Sequence, residues 1–300
     1  MTQPFCDRLE HAIEQLGNPC LVGLDPHLDL LPEEFAAAKD PNASRADRAK
    51  AVEEFLLGVI EVVAGRVPAV KPQSAFFERL GADGAFVWER VIAAARKQGL
   101  LVIGDVKRSD IASTAKAYGQ AFLQDAGESN CDAITLNPYL GADSIEPILD
   151  ICEQTGAGVY VLVRTSNPGS AMFQEHGNPP LTHVVADRVE AWGERLRGAS
   201  GLSSVGAVVG ATHTQELQEL RAKMPHTPFL IPGYGAQGAG ATDTVPGFLE
   251  RGRGAIVNSS RGILYAYKSN EFSHLNWKDA CSAAVDKMIA EFQAALSIGI

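Results

Sequence analysis

The densest set of groups able to do chemistry is the string GDVKRSDIAST, residues 104–114, which carries Asp105, Lys107 and Asp110. An ammonium group among carboxylates suits a reaction in which a carbanion or enolate develops beside a cation that stabilises it and then protonates it. Side chains alternate along a strand, so Asp105 and Lys107, two apart, point to the same side. Asp110 is then expected at the start of the next helix, where a carboxylate meets the positive end of the helix dipole. Lys71 in AVKPQ and Asp25 in CLVGLDP end two earlier apolar runs. Neighbouring strands could therefore assemble an alternating row of carboxylates and ammonium groups. Any one such pair could be a purely structural ion pair; five groups converging on one place favour a functional site.

A second set is PGYGAQG, residues 232–238, followed by NSSRG at 258–262. Gly233, Gly235 and Gly238 match GxGxxG, yet the motif follows a late strand and lacks the acidic residue expected about 20 positions on, which weakens a dinucleotide reading. A phosphate site fits better: glycine N–H groups and a helix start would hold the anion, with Gln237 and the fork of Arg261 as side-chain donors. Glycine turns that merely close a barrel are the plain alternative. The third set, RTSNPGS at 164–170, could be a simple connection or a loop that offers Ser166 to a polar ring.

What is missing narrows the chemistry. The seven histidines are scattered without ligand spacing, and no nucleophile elbow or P-loop is present. The five cysteines (Cys6, Cys20, Cys131, Cys152, Cys281) never form CxxC and read as small buried apolar residues. Neither a metal nor a cofactor is expected.

Positioning these groups requires a particular frame. Eight short apolar runs recur, at 20–26, 69–73, 100–107, 133–138, 158–165, 206–211, 229–235 and 254–260, separated by stretches with helical spacing. Continuous apolar strands between amphipathic helices mark a parallel sheet covered by helices. Eight such units predict an α/β fold, a (β/α)8 TIM barrel spanning 1–300 as a single domain, with an additional N-terminal helix around 4–16. An open doubly wound sheet is the rival, but it usually has fewer strands. In a barrel, chemistry belongs at the C-terminal strand ends. Asp25, Lys71, Asp105, Lys107, Asn137, Thr165, Ser166, Thr212, Gln237, Ser259, Ser260 and Arg261 all fall there.

The chain has 300 residues, 26 Lys+Arg against 36 Asp+Glu, and a formal charge of −10. Without a basic run, no nucleic-acid partner is expected. No apolar stretch approaches the roughly 18 residues of a membrane span, and charges fill the start where a signal peptide would be apolar, so no membrane association and a cytoplasmic location are expected.

Taken in order, VGLDP, AVKPQSAFFE, GDVKRSDIAST, TLNPYLG, VRTSNPG, GATHTQEL, IPGYGAQGA and NSSRGILYA resemble the orotidine 5′-phosphate decarboxylase family, in its longer bacterial subfamily. The D-x-K-R-x-D-I string is the specific part. The resemblance implies decarboxylation of orotidine 5′-monophosphate to UMP, without metal or cofactor, in a homodimeric barrel. It implies that Lys107 protonates C6, that Asp105 lies beside the substrate carboxylate, that Lys71 orients Asp105 and touches the ribose, and that Asp25 accepts from a ribose hydroxyl. Asp110, Ile111 and Thr114 match residues contributed to the neighbouring subunit's site. Ser166 matches a pyrimidine contact, Gln237 a bridge from base to phosphate, and Arg261, with Gly235 in the glycine loop, the phosphate clamp. The segments at about 27–50 and 170–180 have no counterpart in shorter members and receive no role. Two rivals remain: a magnesium-dependent sugar-phosphate decarboxylase or aldolase on the same D-x-K-x-x-D plan, and a catalytically silent phosphate-binding barrel. The first would put acidic metal ligands near the position of Lys71; the second would have no need of Lys71, Asp105, Lys107 and Asp110 together.

Overall fold

A computed structural model describes residues 2–210, 214–235 and 240–299. The eight expected runs all form strands: β1 (Cys20–Leu24), β2 (Ala69–Pro72), β3 (Leu101–Arg108), β4 (Ala133–Leu136), β5 (Gly158–Arg164), β6 (Val205–Val209), β7 (Phe229–Pro232) and β8 (Ala255–Ser259). They pair in parallel in chain order, and β8 returns to β1, closing the barrel. The helices are α1 (Phe5–Leu16), α2 (Arg45–Val63), α3 (Gly81–Lys97), α4 (Ala112–Leu123), α5 (Glu146–Thr155), α6 (Leu181–Gly193), α7 (Thr214–Lys223) and α8 (Trp277–Gly299), besides several single turns.

Inside the barrel each strand gives one apolar side chain to a common layer: Leu21, Ala69, Ile103, Ala133, Tyr160, Val208, Leu230 and Ile256. Phe5, Leu9 and Ile13, four apart along α1, form a single apolar stripe that packs under this layer and plugs the N-terminal end. Gly17, at φ 63°, then stops α1 in the left-handed conformation that glycine adopts without penalty. Because strand side chains alternate, the position two residues beyond the apolar layer also points inward. On β1 to β4 and β8 those positions are Gly23, Lys71, Asp105, Thr135 and Asn258. The barrel interior is thus apolar at its base and charged at its mouth.

Two helices arise from weak sequence patterns. α7, TQELQELRAK, is short and mostly polar, and buries only Leu217, Leu220 and Arg221. Between β7 and β8 the described crossover holds one helical turn, Ala241–Thr244, followed by a 3₁₀ turn at Val245–Gly247. The segment after His27 has a structural role. Its buried Phe35 packs edge-on to Phe55 of α2 and Trp277 of α8, at 5.5 and 5.7 Å between centroids. It caps the seam between those two helices. Among the described residues, no helix is long and apolar enough to cross a membrane.

Candidate active site

At the mouth, Lys71 of β2 and Asp105 of β3 form a buried ion pair, Nζ to Oδ2 at 2.6 Å. The second carboxylate oxygen of Asp105 accepts from the Lys107 ammonium and from the Thr135 hydroxyl of β4, the latter at 3.0 Å. Asp105 therefore sits between two ammonium groups. Burial alone would raise its pKa, but Lys71 and Lys107 outweigh that and hold the carboxyl well below the usual range. For Lys71 burial likewise opposes the charge, and the carboxylates of Asp105 and Asp25 outweigh it and raise the pKa. Both groups are charged at neutral pH. Within the row, the side chains of Lys71 and Asp105 are 6% and 9% exposed, whereas that of Lys107 is 44% exposed. The reachable cation is Lys107.

Its backbone explains that reach. Lys107 has φ 44°, in the left-handed region that costs a residue with a side chain about 1–2 kcal/mol. The pairing of β3 with β4 slips between Gly104 and Arg108, and the Lys107 N–H donates to the Thr135 hydroxyl at 2.9 Å rather than to a strand carbonyl. Thr135 thus fixes both the Asp105 carboxylate and the Lys107 backbone. Asp110 lies two residues before α4 rather than within it; Ile111 is the N-cap, and its N–H donates to the Asp110 carboxylate at 2.8 Å.

Asp25 follows β1. Its Oδ1 is buried and accepts no hydrogen bond among the described residues, so it is an acceptor facing the mouth without a donor. From beyond β8, the Tyr265 hydroxyl donates to the Asp25 carbonyl at 3.0 Å and accepts from the His27 N–H at 2.7 Å, which pins this turn. Gly23, beneath Asp25, is required by contact: a Cβ there would lie 1.9 Å from the Ser260 hydroxyl and 3.0 Å from Asn258 Oδ1.

The loops expected to hold an anion follow β7 and β8. Gly233 and Gly235 take φ 107° and 75°, and Ser260 opens the single turn Arg261–Leu264. A cavity of about 400 Å³ lies between this loop and α8, lined by Gly235, Gly240, Ser259 and Gly262 on one side and by Glu271, Lys287 and Glu291 on the other. Arg261 is exposed, and its charge acts on His27, which places it on the β1 side. Thr212, Gln237 and Gly238 lie outside the described residues. Ser166 follows β5, half-buried, with its backbone against Gly210 of the next strand's end. Ile111 and Thr114 are exposed on the rim. A cavity of about 900 Å³ opens at the other end of the barrel, around α1. Its half-buried acid Glu10 is already engaged by Arg253 and the Gly254 N–H, and Asp7 by the N–H groups of Ala199 and Ser200. No chemistry is aligned there. Among the described residues no cluster of three or more His, Cys, Asp or Glu is placed to hold a metal ion.

Sequence reasoning found Lys71, Asp105, Lys107 and Asp25 from their strand ends, and the structure brings these four together. It missed Thr135 and Tyr265. The first is the only polar side chain inside AITL, a signal that could have been read; the second lies 240 residues from its partner Asp25, and nothing local marks it.

Residues 21–272 match the family model described as orotidine 5′-phosphate decarboxylase / HUMPS family. The chain is 43% identical over 295 residues to orotidine 5′-phosphate decarboxylase of Rhodopirellula baltica, covering 95% of this chain and 97% of the relative. It is 40% identical to that of Petrotoga mobilis, covering 96% and 98%. Among solved structures, Leishmania donovani OMP decarboxylase superposes with a TM-score of 0.74 at 31% identity, covering 98% of this chain and 99% of that one.

Proposed function

This chain belongs to the orotidine 5′-phosphate decarboxylase / HUMPS family and decarboxylates orotidine 5′-monophosphate to UMP, and on that premise we propose how its residues divide the work. The observation that carries the reading is the row Lys71–Asp105–Lys107, in which one buried carboxylate lies between a buried and an accessible ammonium group. Loss of carbon dioxide from C6 leaves an electron pair in the ring plane, which the ring π system cannot absorb. Catalysis then rests on fixed charge at C6 and on binding energy from remote parts of the substrate.

Lys107 supplies that charge and afterwards gives its proton to C6, without help from metal or cofactor. Asp105, kept ionised by its two ammonium partners, sets the position of Lys107 and faces the departing carboxylate. Lys71 holds Asp105 from below. Asp25 accepts a ribose hydroxyl through the oxygen that has no donor among the described residues. Ser166 reads the pyrimidine, while the glycine turn with Gly235, Gln237 and Arg261 grips the phosphate. The chain acts as one (β/α)8 domain and as a homodimer in which Asp110, Ile111 and Thr114 reach the neighbouring site. Supporting the dimer, the loops after β3, β4 and β5, at the mouth end of their strands, expose the large apolar side chains of Ile111, Tyr139, Leu140, Met172 and Phe173.

The test follows the ultraviolet absorbance of orotidine 5′-monophosphate with EDTA-treated protein. Wild type should turn over without added metal, and Lys107→Ala should lose turnover while still binding UMP. Turnover that needs magnesium, or activity retained in Lys107→Ala, would overturn this division of roles.

A further inference from the structure

The segment after β5 is tied down by one buried side chain. Arg164, the last residue of β5, is 4% exposed, and its guanidinium reaches three acceptors. Nε donates to Glu216 of α7 at 2.9 Å, Nη1 to the Ser170 hydroxyl at 2.9 Å, and Nη2 to Glu175 at 2.5 Å. A second tie runs beside it. The Thr165 N–H donates to the Gln174 amide oxygen at 2.9 Å, and the amide NH₂ returns a hydrogen bond to the Thr165 hydroxyl at 2.7 Å. The carbonyl of Gln174 in turn accepts from Thr182, buried at the start of α6, at 2.8 Å.

Between these ties stands Ser166, and its other side is closed. A Cβ on Gly210 would lie 3.1 Å from the Ser166 Cβ and 3.2 Å from its N, so the serine backbone rests directly on the end of β6. Arg164 also accepts, through its carbonyl, from the Gly210 N–H at 2.9 Å. The segment 165–175 is thus a built clasp. Only a planar fork with several N–H donors can hold a strand end, a loop and a helix from the next unit at once.

We propose that Arg164 is a positioning residue for the pyrimidine half of the site: through Glu175, Ser170 and Glu216 it fixes where Ser166 stands, without touching the substrate. The proposal rests on the reading of Ser166 as the base contact. It makes a separation by ligand. Displacing Ser166 weakens ligands that carry the base and spares those that carry only the sugar phosphate, which is gripped across the barrel by the loops after β7 and β8.

The experiment compares competitive inhibition by UMP and by ribose 5-phosphate in Arg164→Lys, Ser166→Ala and the double variant. Glu175→Gln, which removes the charge of one arm and leaves Glu216 on the guanidinium, serves if Arg164→Lys fails to fold. Expected is a loss of UMP affinity on the order of tenfold in Arg164→Lys and in Ser166→Ala, as for one hydrogen bond, with a double variant no worse than the worse single. Glu175→Gln should show the same selectivity with a smaller loss, and ribose 5-phosphate should be unchanged throughout. Equal weakening of both ligands, or additive losses, would overturn the positioning role. A defect in Ser166→Ala with normal Arg164→Lys and Glu175→Gln would overturn the clasp alone, whereas a normal Ser166→Ala would overturn the base-contact reading beneath it.

Discussion

At the scale of single residues, the site is governed by how Asp105 is kept charged in a buried place. Breaking a buried pair by removing one partner leaves an uncompensated charge, and such losses run to about 3 kcal/mol or more. Asp105→Asn should therefore lower unfolding free energy at pH 7 by about 3 kcal/mol, because the Lys71 ammonium keeps only Asp25 as a nearby carboxylate. The pH dependence has a definite sign. The folded pKa of Asp105 is depressed, so its stabilisation is present above the ordinary carboxylate value and is lost as pH falls through the depressed one. Lys71 is raised, so its share is present below the ordinary lysine value and is lost as pH rises through the folded one. Urea titrations of wild type and Asp105→Asn should then differ most near neutrality and converge in acid. A difference that persists unchanged well below the carboxylate range would contradict the ion-pair account.

At the scale of elements, the two ends of the barrel are built for different purposes. α1 closes the base with Phe5, Leu9 and Ile13, far from the charged row, and Arg8 on the same helix pairs with the buried Asp132 just before β4. Leu9 is 1% exposed. Leu9→Ala should lower stability by about 3 kcal/mol through lost burial and a residual cavity, yet leave kcat and KM for orotidine 5′-monophosphate within twofold in the folded protein. A selective fall in kcat would mean that the base layer and the mouth are coupled. The elements also divide by legibility. Every strand announced itself as an apolar run, because both faces of a barrel strand are covered. α7 did not, since it turns only two leucines and an arginine inward and leaves the rest polar.

At the scale of the whole molecule, a protein of charge −10 must draw in a substrate that carries a phosphate and a carboxylate. Screening confines each charge to about 8–10 Å in physiological salt, so local cations decide. Lys71, Lys107 and Arg261 are at the mouth, and outer carboxylates such as Glu61 and Glu271 are offset by the exposed ammonium groups of Lys278 and Lys287. The apolar rim gives a further prediction for the assembly. If Asp110 serves the neighbouring site, Asp110→Ala and Lys71→Ala subunits, each inactive alone, should recover about a quarter of wild-type activity after random reassociation, because each mixed dimer regains one intact site. Mixed dimers with no activity would place Asp110 in its own subunit's site.

What the sequence by itself determined was what repeats or lies within a few residues: eight apolar runs, the i, i+2 relation of Asp105 and Lys107, the glycines of the loop after β7, and the motif order that marks the family. Strand periodicity and turn chemistry are local, so they survive in one dimension. Only the tertiary structure decided which groups meet across the barrel. Thr135 on Asp105, Tyr265 on the Asp25 carbonyl and Arg164 on Glu216 span 30, 240 and 52 residues. These contacts depend on the stagger between neighbouring strands and on where closure returns β8 to β1. Register and closure are properties of the assembled sheet, and no local stretch of this chain encodes them.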